Sequence, residues 1–210
     1  MKHPRRPLLL LPFALAGLLS GCLNTTPAVD ARRHFVLDNQ ADIQSASGAV
    51  VKETTVGLMP VLLPSYLHDN RLTVRKSGTE VVYLEQDRWA GRLDQGLSQF
   101  IGNRVEENLE GVSVLQAPWN RGDVDYELRI KYSRCEVTTE GLAVVAAEWS
   151  CTDQSVPRNS LRGQVRIERP GPSPYDSTAA SIATLSDANR ELAADIARTI
   201  RSCIDASKAD

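Results

Sequence analysis

The second half of the chain alternates apolar and polar positions in three successive tracts. Tyr126, Leu128, Ile130 and Tyr132 fall on one side of a period of two, with Glu127, Arg129 and Lys131 on the other. Glu140-Gly141 marks a turn, after which Val145, Ala147, Trp149 and Cys151 return in phase. Leu161, Gly163, Val165 and Ile167 then alternate against Arg162, Gln164, Arg166 and Glu168. Such alternation belongs to strands with one buried face, so the tracts predict an antiparallel meander that is wet on one side.

Elsewhere the period changes. Trp89, Leu93, Leu97, Ile101, Val105 and Leu109 recur at a spacing of four, with Phe100 beside Ile101. This predicts a helix that opens at Asp87 as its N-cap and stops at Gly111. A second helix is predicted from about Thr178 to Ile204, with Ile182, Leu185, Leu192, Ile196, Ile200 and Cys203 on its apolar side. Pro170 to Pro174 reads as a rigid connector before it. Upstream, His34 to Asp38 reads as a short strand, Gln40 to Gly48 as a loop and Val112 to Leu115 as a strand. Thr54 to Leu63 is strand-like but contains Pro60, which cannot donate to a ladder, so it is an edge strand or a strand with a break. Pro64 to Asn70 reads as a turn or one helical turn. Leu72 to Lys76 and Thr79 to Leu84 read as a hairpin around Ser77-Gly78. Two helices over such strands make an α+β fold: a two-layer sandwich, a mostly antiparallel sheet with two amphipathic helices packed on one face.

The N-terminus changes the picture of where this domain works. Lys2, Arg5 and Arg6 precede an apolar run from Leu8 to Leu19, too short to span a bilayer, which takes roughly 20 apolar residues. Leu19-Ser20-Gly21-Cys22 closes it in the pattern of a bacterial lipoprotein cleavage site. The chain therefore divides into a signal peptide (1–21), a lipidated Cys22 with a flexible tether (22–32), one α+β domain (33–206) and a disordered C-terminus (207–210). Position 23 is Leu rather than Asp, which by resemblance to enterobacterial sorting rules sends the lipoprotein to the outer membrane, facing the periplasm.

Charge narrows the partners. The net charge of the 210 residues is -2, and three of the 24 basic residues lie in the signal, which has no acids, leaving -5 after cleavage. That argues against a nucleic-acid binder, which usually shows a basic surface, and against purely electrostatic membrane adhesion.

Catalytic signals are sparse. His68-Asp69 is too small a set of ligands for a metal site, and a solvated loop pair explains it. Asp87 and Asp94 flank Trp89 and could be a carboxylate pair for acid–base work, but a cap and a solvated helix face explain them. No Gly-x-Ser-x-Gly elbow and no phosphate-binding Gly-x-x-x-x-Gly-Lys loop are present. The expectation is no enzyme, no catalytic residue, no metal and no cofactor. After Cys22 three cysteines remain. With a turn at Glu140-Gly141, position 135 lies opposite about 146, and Cys151 is too far along the ladder at ~3.4 Å per residue to bridge to it. The last helix returns towards the Cys151 end, so in an oxidising periplasm the expected disulfide is Cys151–Cys203, with Cys135 free and buried.

One resemblance gives these features a context. Val56-Gly-Leu-Met-Pro-Val-Leu-Leu-Pro-Ser-Tyr-Leu-His-Asp-Asn-Arg71, Val74 to Glu80, and Tyr83 to Ala90 with Leu93-Asp94 resemble the PqiC-type (YmbA-like) family of ABC-type transport auxiliary lipoproteins. Pro64 to Leu67 matches its proline-x-tyrosine-leucine segment, and Asp87-Arg88-Trp89-Ala90 its helix-opening signature. Cys135 and Cys151 depart from the family's usual pattern. The resemblance implies a non-enzymatic partner of an MCE-domain protein in a lipid transport assembly, docking it as a ring or other homo-oligomer. Tyr66, Leu67 and the hairpin tip Ser77-Gly78 are the docking candidates; Tyr66 and Leu67 equally suit closing the core. A lipid carrier enclosing an acyl chain and a periplasmic hydrolase are the competing readings.

Overall fold

The computed structural model describes residues 31–38, 54–120, 122–156 and 160–209. The signal, Cys22, most of the tether and the Gln40 to Gly48 loop lie outside the described residues. Eight strands and two helices are present among those described. In chain order they are β1 (Arg33–Phe35), β2 (Thr54–Leu58), β3 (Arg71–Arg75), β4 (Val81–Trp89), α1 (Leu93–Asn108), β5 (Val112–Gln116), β6 (Tyr126–Thr138), β7 (Leu142–Asp153), β8 (Ser160–Pro170) and α2 (Thr178–Ala209). The expected α+β two-layer sandwich is what forms.

The alternating tracts become β6, β7 and β8, paired antiparallel in long ladders with Lys131 opposite Glu148 and Glu148 opposite Gln164. Gly141 turns the first hairpin at φ 91°, where a Cβ would strike the Gly171 carbonyl oxygen at 2.3 Å. Leu128, Ile130, Tyr132, Trp149, Cys151 and Ile167 point into the core, which α1 and α2 close from one side with Leu97, Phe100, Ile101, Leu192, Ile196 and Ile200. The indole of Trp149 donates to the Thr199 hydroxyl of α2 at 3.0 Å, fixing the helix to the sheet.

The sheet is mixed, because β6 is long enough to take several partners on one edge. Its 13 residues run roughly 43 Å at ~3.3 Å each. β7 covers one edge; β2 and then β3 share the other, both parallel to β6. Between them Pro60 interrupts the ladder: Met59 N donates to Leu128 O at 2.9 Å, and bonding resumes only with Leu62 N to Ile130 O at 3.0 Å. Of the two readings of Thr54 to Leu63, the break is therefore the one that holds, since β2 lies inside the sheet between β6 and β5.

Two boundaries differ from expectation. Asp87 and Trp89 do not open a helix; they end strand β4, which pairs with β1 (Arg33 opposite Asp87, Phe35 opposite Trp89), and α1 begins at Leu93 after Arg92. Trp89 faces the core as the strand's last residue, which puts it in phase with the helical stripe that follows. At the other end, α2 continues past Ile204 to Ala209, and the Ser207 hydroxyl donates to Asp153 at 2.5 Å, so residues 207–209 belong to the fold rather than to a disordered tail.

Candidate functional site

Two features of the sheet's outer face, the side away from α1 and α2, stand apart from ordinary surface. The first is a groove of about 800 Å3 between the Met59–Leu62 segment and the strands β6 to β8. Two cross-strand rows floor it: Lys131, Glu148 and Gln164, and next to them Arg129, Ser150 and Arg162. These are the polar positions of the three alternating tracts. Lys131 pairs with Glu148 at 2.9 Å, and Arg129 with Glu127 at 2.6 Å. Met59, Pro60 and Leu62 form an apolar rim, and Leu62 is 60% exposed. An exposed leucine beside a concave, mixed-charge surface has the composition of a protein-contact site.

The second is a carboxylate buried on the same face. A register shift between Tyr132 and Arg134 makes Cys135, Glu136 and Val137 consecutive buried positions, with Glu136 on the side opposite the helices. Its carboxylate accepts Arg75 Nε and Arg134 Nε at 2.7 Å each on one oxygen, and the Tyr66 hydroxyl at 2.7 Å and the Cys135 backbone N–H at 3.2 Å on the other. The Arg75 guanidinium also lies over the Tyr66 ring, 5.5 Å from its centroid. Burial pushes the Glu136 carboxyl up, but the hydrogen bonds from Arg75, Tyr66 and Arg134 outweigh it and hold the group below its ordinary value. Tyr66 moves the other way: burial and the hydrogen bond to the anionic Glu136 push its phenol up to about 12. The arrangement is a closed ionic lock between the 65–67 turn, β3 and β6; every lone pair it offers is spoken for, so it has structural rather than acid–base chemistry.

The family-motif residues divide by role. Pro64 sets the extended backbone that leads into the 3-10 turn Ser65–Leu67. Tyr66 is half-buried on the lock, and Leu67 is 3% exposed, so Leu67 closes the core and presents nothing to a partner, whereas Ser77 and Gly78 sit exposed at the hairpin tip. Asp87, 3% exposed, receives a bidentate bond from Arg33 at 2.7 and 2.8 Å and one from the Thr178 hydroxyl at 2.7 Å, tying β1 and β4 to the first residue of α2. Arg88 caps carbonyls of its own strand, at Leu84 and Asp87, and Trp89 is core. Asp69, the neighbour of His68, is held by Arg71 at 2.8 Å, and that bond lowers its carboxyl to about 2. No group of three or more metal-ligating side chains occurs among the described residues.

Cys135, Cys151 and Cys203 are all buried and stand as thiols in this structure, without the expected Cys151–Cys203 bond. Burial pushes Cys135 up to about 12 and raises Cys151 and Cys203 as well, so none presents a thiolate nucleophile near neutral pH. Sequence reasoning missed Glu136, because simple alternation from Tyr126 does not foresee the bulge. It also missed Leu62 as a rim, although the basic positions Arg129, Lys131 and Arg162 were visible as the wet face of the meander.

Residues 35–197 match the model of the family described as ABC-type transport auxiliary lipoprotein component. The chain belongs to this family. The lipoprotein is thus an auxiliary component of an ABC transport system, membrane-anchored in the periplasm, with a transport-auxiliary role rather than an assigned catalysis. No curated protein sequence is significantly similar to it. Among solved structures, it is similar to an uncharacterized protein at 20% identity and a TM-score of 0.65, covering 80% of this chain and 98% of that one. It is similar also to the protein XCC0632 from Xanthomonas campestris, of the family DUF330, at 17% identity and a TM-score of 0.62, covering 77% and 92%. At such identity these likenesses concern the fold. No helix among the described residues is long and apolar enough to cross a membrane.

Proposed function

We propose that this lipoprotein is the docking subunit of an MCE-type intermembrane phospholipid transport system, held at the outer membrane by lipid on Cys22 and assembled as a ring or other homo-oligomer. One observation carries the reading: among the described residues, the roomy groove lies on the open sheet face, and the cleft that reaches into the core is small. The room left between Leu67, Leu72, Cys135 and Leu185 is about 20 Å3, while the groove on the open sheet face is about 800 Å3. A carrier enclosing an acyl chain needs an apolar interior cavity of several hundred Å3. A docking protein needs a filled core and an uncovered contact surface, and the small core cleft and open groove support that reading. The contact surface in this reading is the groove with its rim residue Leu62, extended along the same segment to Tyr66 and across to the Ser77-Gly78 tip; Leu67 drops out because it is buried.

Leu62→Asp in the full-length lipoprotein, extracted in mild detergent, tests this. Co-purification of an MCE-domain protein should be lost while the unfolding free energy stays within about 0.5 kcal/mol of wild type, as expected for an exposed position. Undiminished co-purification sinks the groove as the docking surface. A stoichiometric phospholipid retained by the isolated protein in native mass spectrometry would favour the carrier reading instead.

A further inference from the structure

The end of β7 and the last turns of α2 bring two cysteines together. Cys203 Sγ donates to the carbonyl oxygen of Cys151 at 3.6 Å, so the two residues lie against each other. Both side chains are sealed from solvent, at 0% and 1% exposure. The third thiol is elsewhere: Cys135 sits opposite Val145, whereas Cys151 sits opposite Leu128, seven residues back along β6, roughly 24 Å at ~3.4 Å per residue. Cys135 has instead a weak donor, Asn189 Nδ2 at 3.7 Å. A disulfide needs Cα atoms within about 7 Å, so the register forbids Cys135–Cys151 and leaves a single pair in reach.

We propose that Cys151 and Cys203 are joined by a disulfide in the envelope, with Cys135 kept as a thiol. The inference rests on the periplasmic location given by the family and is independent of the docking reading. The oxidant is a disulfide-bearing thiol oxidoreductase. One cysteine thiolate attacks its S–S bond to give a mixed disulfide; the other, after losing its proton to water, attacks the lipoprotein sulfur of that bond. A Cys151–Cys203 bond forms, the oxidant's bond is broken to two thiols, and two electrons and two protons have left the lipoprotein. The sealed, high-pKa thiols of the folded domain are poor partners for this exchange, so it belongs to the stage before α2 seats on the sheet. The bridge then fastens the C-terminal end of α2 to β7, beside the Ser207–Asp153 hydrogen bond, and closes a loop of about 50 residues, which is long enough to make the constraint on the unfolded chain large.

The test uses the full-length lipoprotein recovered from the envelope, quenched in acid, denatured, alkylated with N-ethylmaleimide and digested without reductant. Mass spectrometry should find the Cys151 and Cys203 peptides linked and Cys135 alkylated. Alkylation of both Cys151 and Cys203, or a linkage involving Cys135, overturns the proposal. In a second measurement, reductant should lower the thermal midpoint of the wild-type protein by about 10 °C, while the Cys203→Ser variant should not respond. If that variant does not accumulate, the wild-type comparison stands alone, and a midpoint unmoved by reductant counts against the bond. Neither readout involves a transport partner, so failure here leaves the docking reading untouched, and the reverse holds as well.

Discussion

Replacing Glu136 by glutamine should destabilise the fold by about 3 kcal/mol at neutral pH, summed from the four donors that converge on its carboxylate. Glutamine keeps one acceptor oxygen, which the two arginines would take, but each bond loses its charge assistance and weakens by about 1 kcal/mol. The new NH2 then faces the Tyr66 hydroxyl and the Cys135 N–H. The hydroxyl can rotate to accept; the peptide N–H cannot, and losing its bond adds about 1 kcal/mol. The total lies at the lower edge of the 3–5 kcal/mol typical of breaking a buried ion pair by removing one partner, as it should when a polar isostere remains. For a chain of this size it corresponds to a drop in thermal midpoint of about 6–12 °C. The pH dependence has a definite sign. The folded-state pKa of Glu136 lies below its ordinary 4.5, so its contribution is complete above that value and is lost as pH falls through the folded pKa. Asp69 and Asp153 are lowered to about 2 in both proteins and cancel in the comparison. The gap between wild type and Glu136→Gln should therefore narrow on acidification below about pH 4.5. Urea unfolding of the detergent-solubilised protein at pH 7 and pH 3.5, followed by tryptophan fluorescence, measures it. A gap under about 0.5 kcal/mol at pH 7, or one that widens in acid, would refute the lock.

Gly163→Ala places a Cβ 2.3 Å from the Trp149 ring, so the indole must swing off Thr199; the expected cost is about 1–3 kcal/mol with a red shift in tryptophan emission, and unchanged emission and midpoint would contradict it. Asp87→Ala removes the acceptor for Thr178 and Arg33; because Arg33 is mostly exposed and can rehydrate, the loss should be about 2 kcal/mol by urea unfolding, and a value within 0.5 kcal/mol of zero would show the pair contributes nothing. Cys135, buried and with its thiol pushed up to about 12, should resist N-ethylmaleimide in the native protein at pH 8 and react only on unfolding; rapid labelling without unfolding would mean the β6–α2 packing is open.

Much of this architecture is decided locally, and those parts could be read from residue order alone. The β6–β8 meander, the hairpin at Ser77-Gly78, the turn at Gly141 and the apolar stripe of α2 each follow from a periodicity or a turn residue within one segment. The same holds for the basic and polar rows that floor the groove, since they are the off-phase positions of the same alternation. What the sequence by itself determined, then, is which residues share a face, because side-chain period is a property of the local backbone.

Only the tertiary structure decided which segments lie side by side. Parallel pairing of β2 with β5 and β6, or of β1 with β4, joins residues more than fifty positions apart through backbone groups that every residue carries, and so leaves no mark on the side-chain pattern. That pairing draws Asp87 and Trp89 into a strand although the spacing of Trp89 suits a helix. The bulge in β6 likewise moves Glu136 out of the core-facing phase that simple alternation assigns it and onto the outer face, because one extra residue in a strand reverses the facing of those after it. The meeting of Cys151 with Cys203 belongs to both: the strand register and the direction of the last helix anticipate it, and the seating of α2 across β7 brings the thiols into reach.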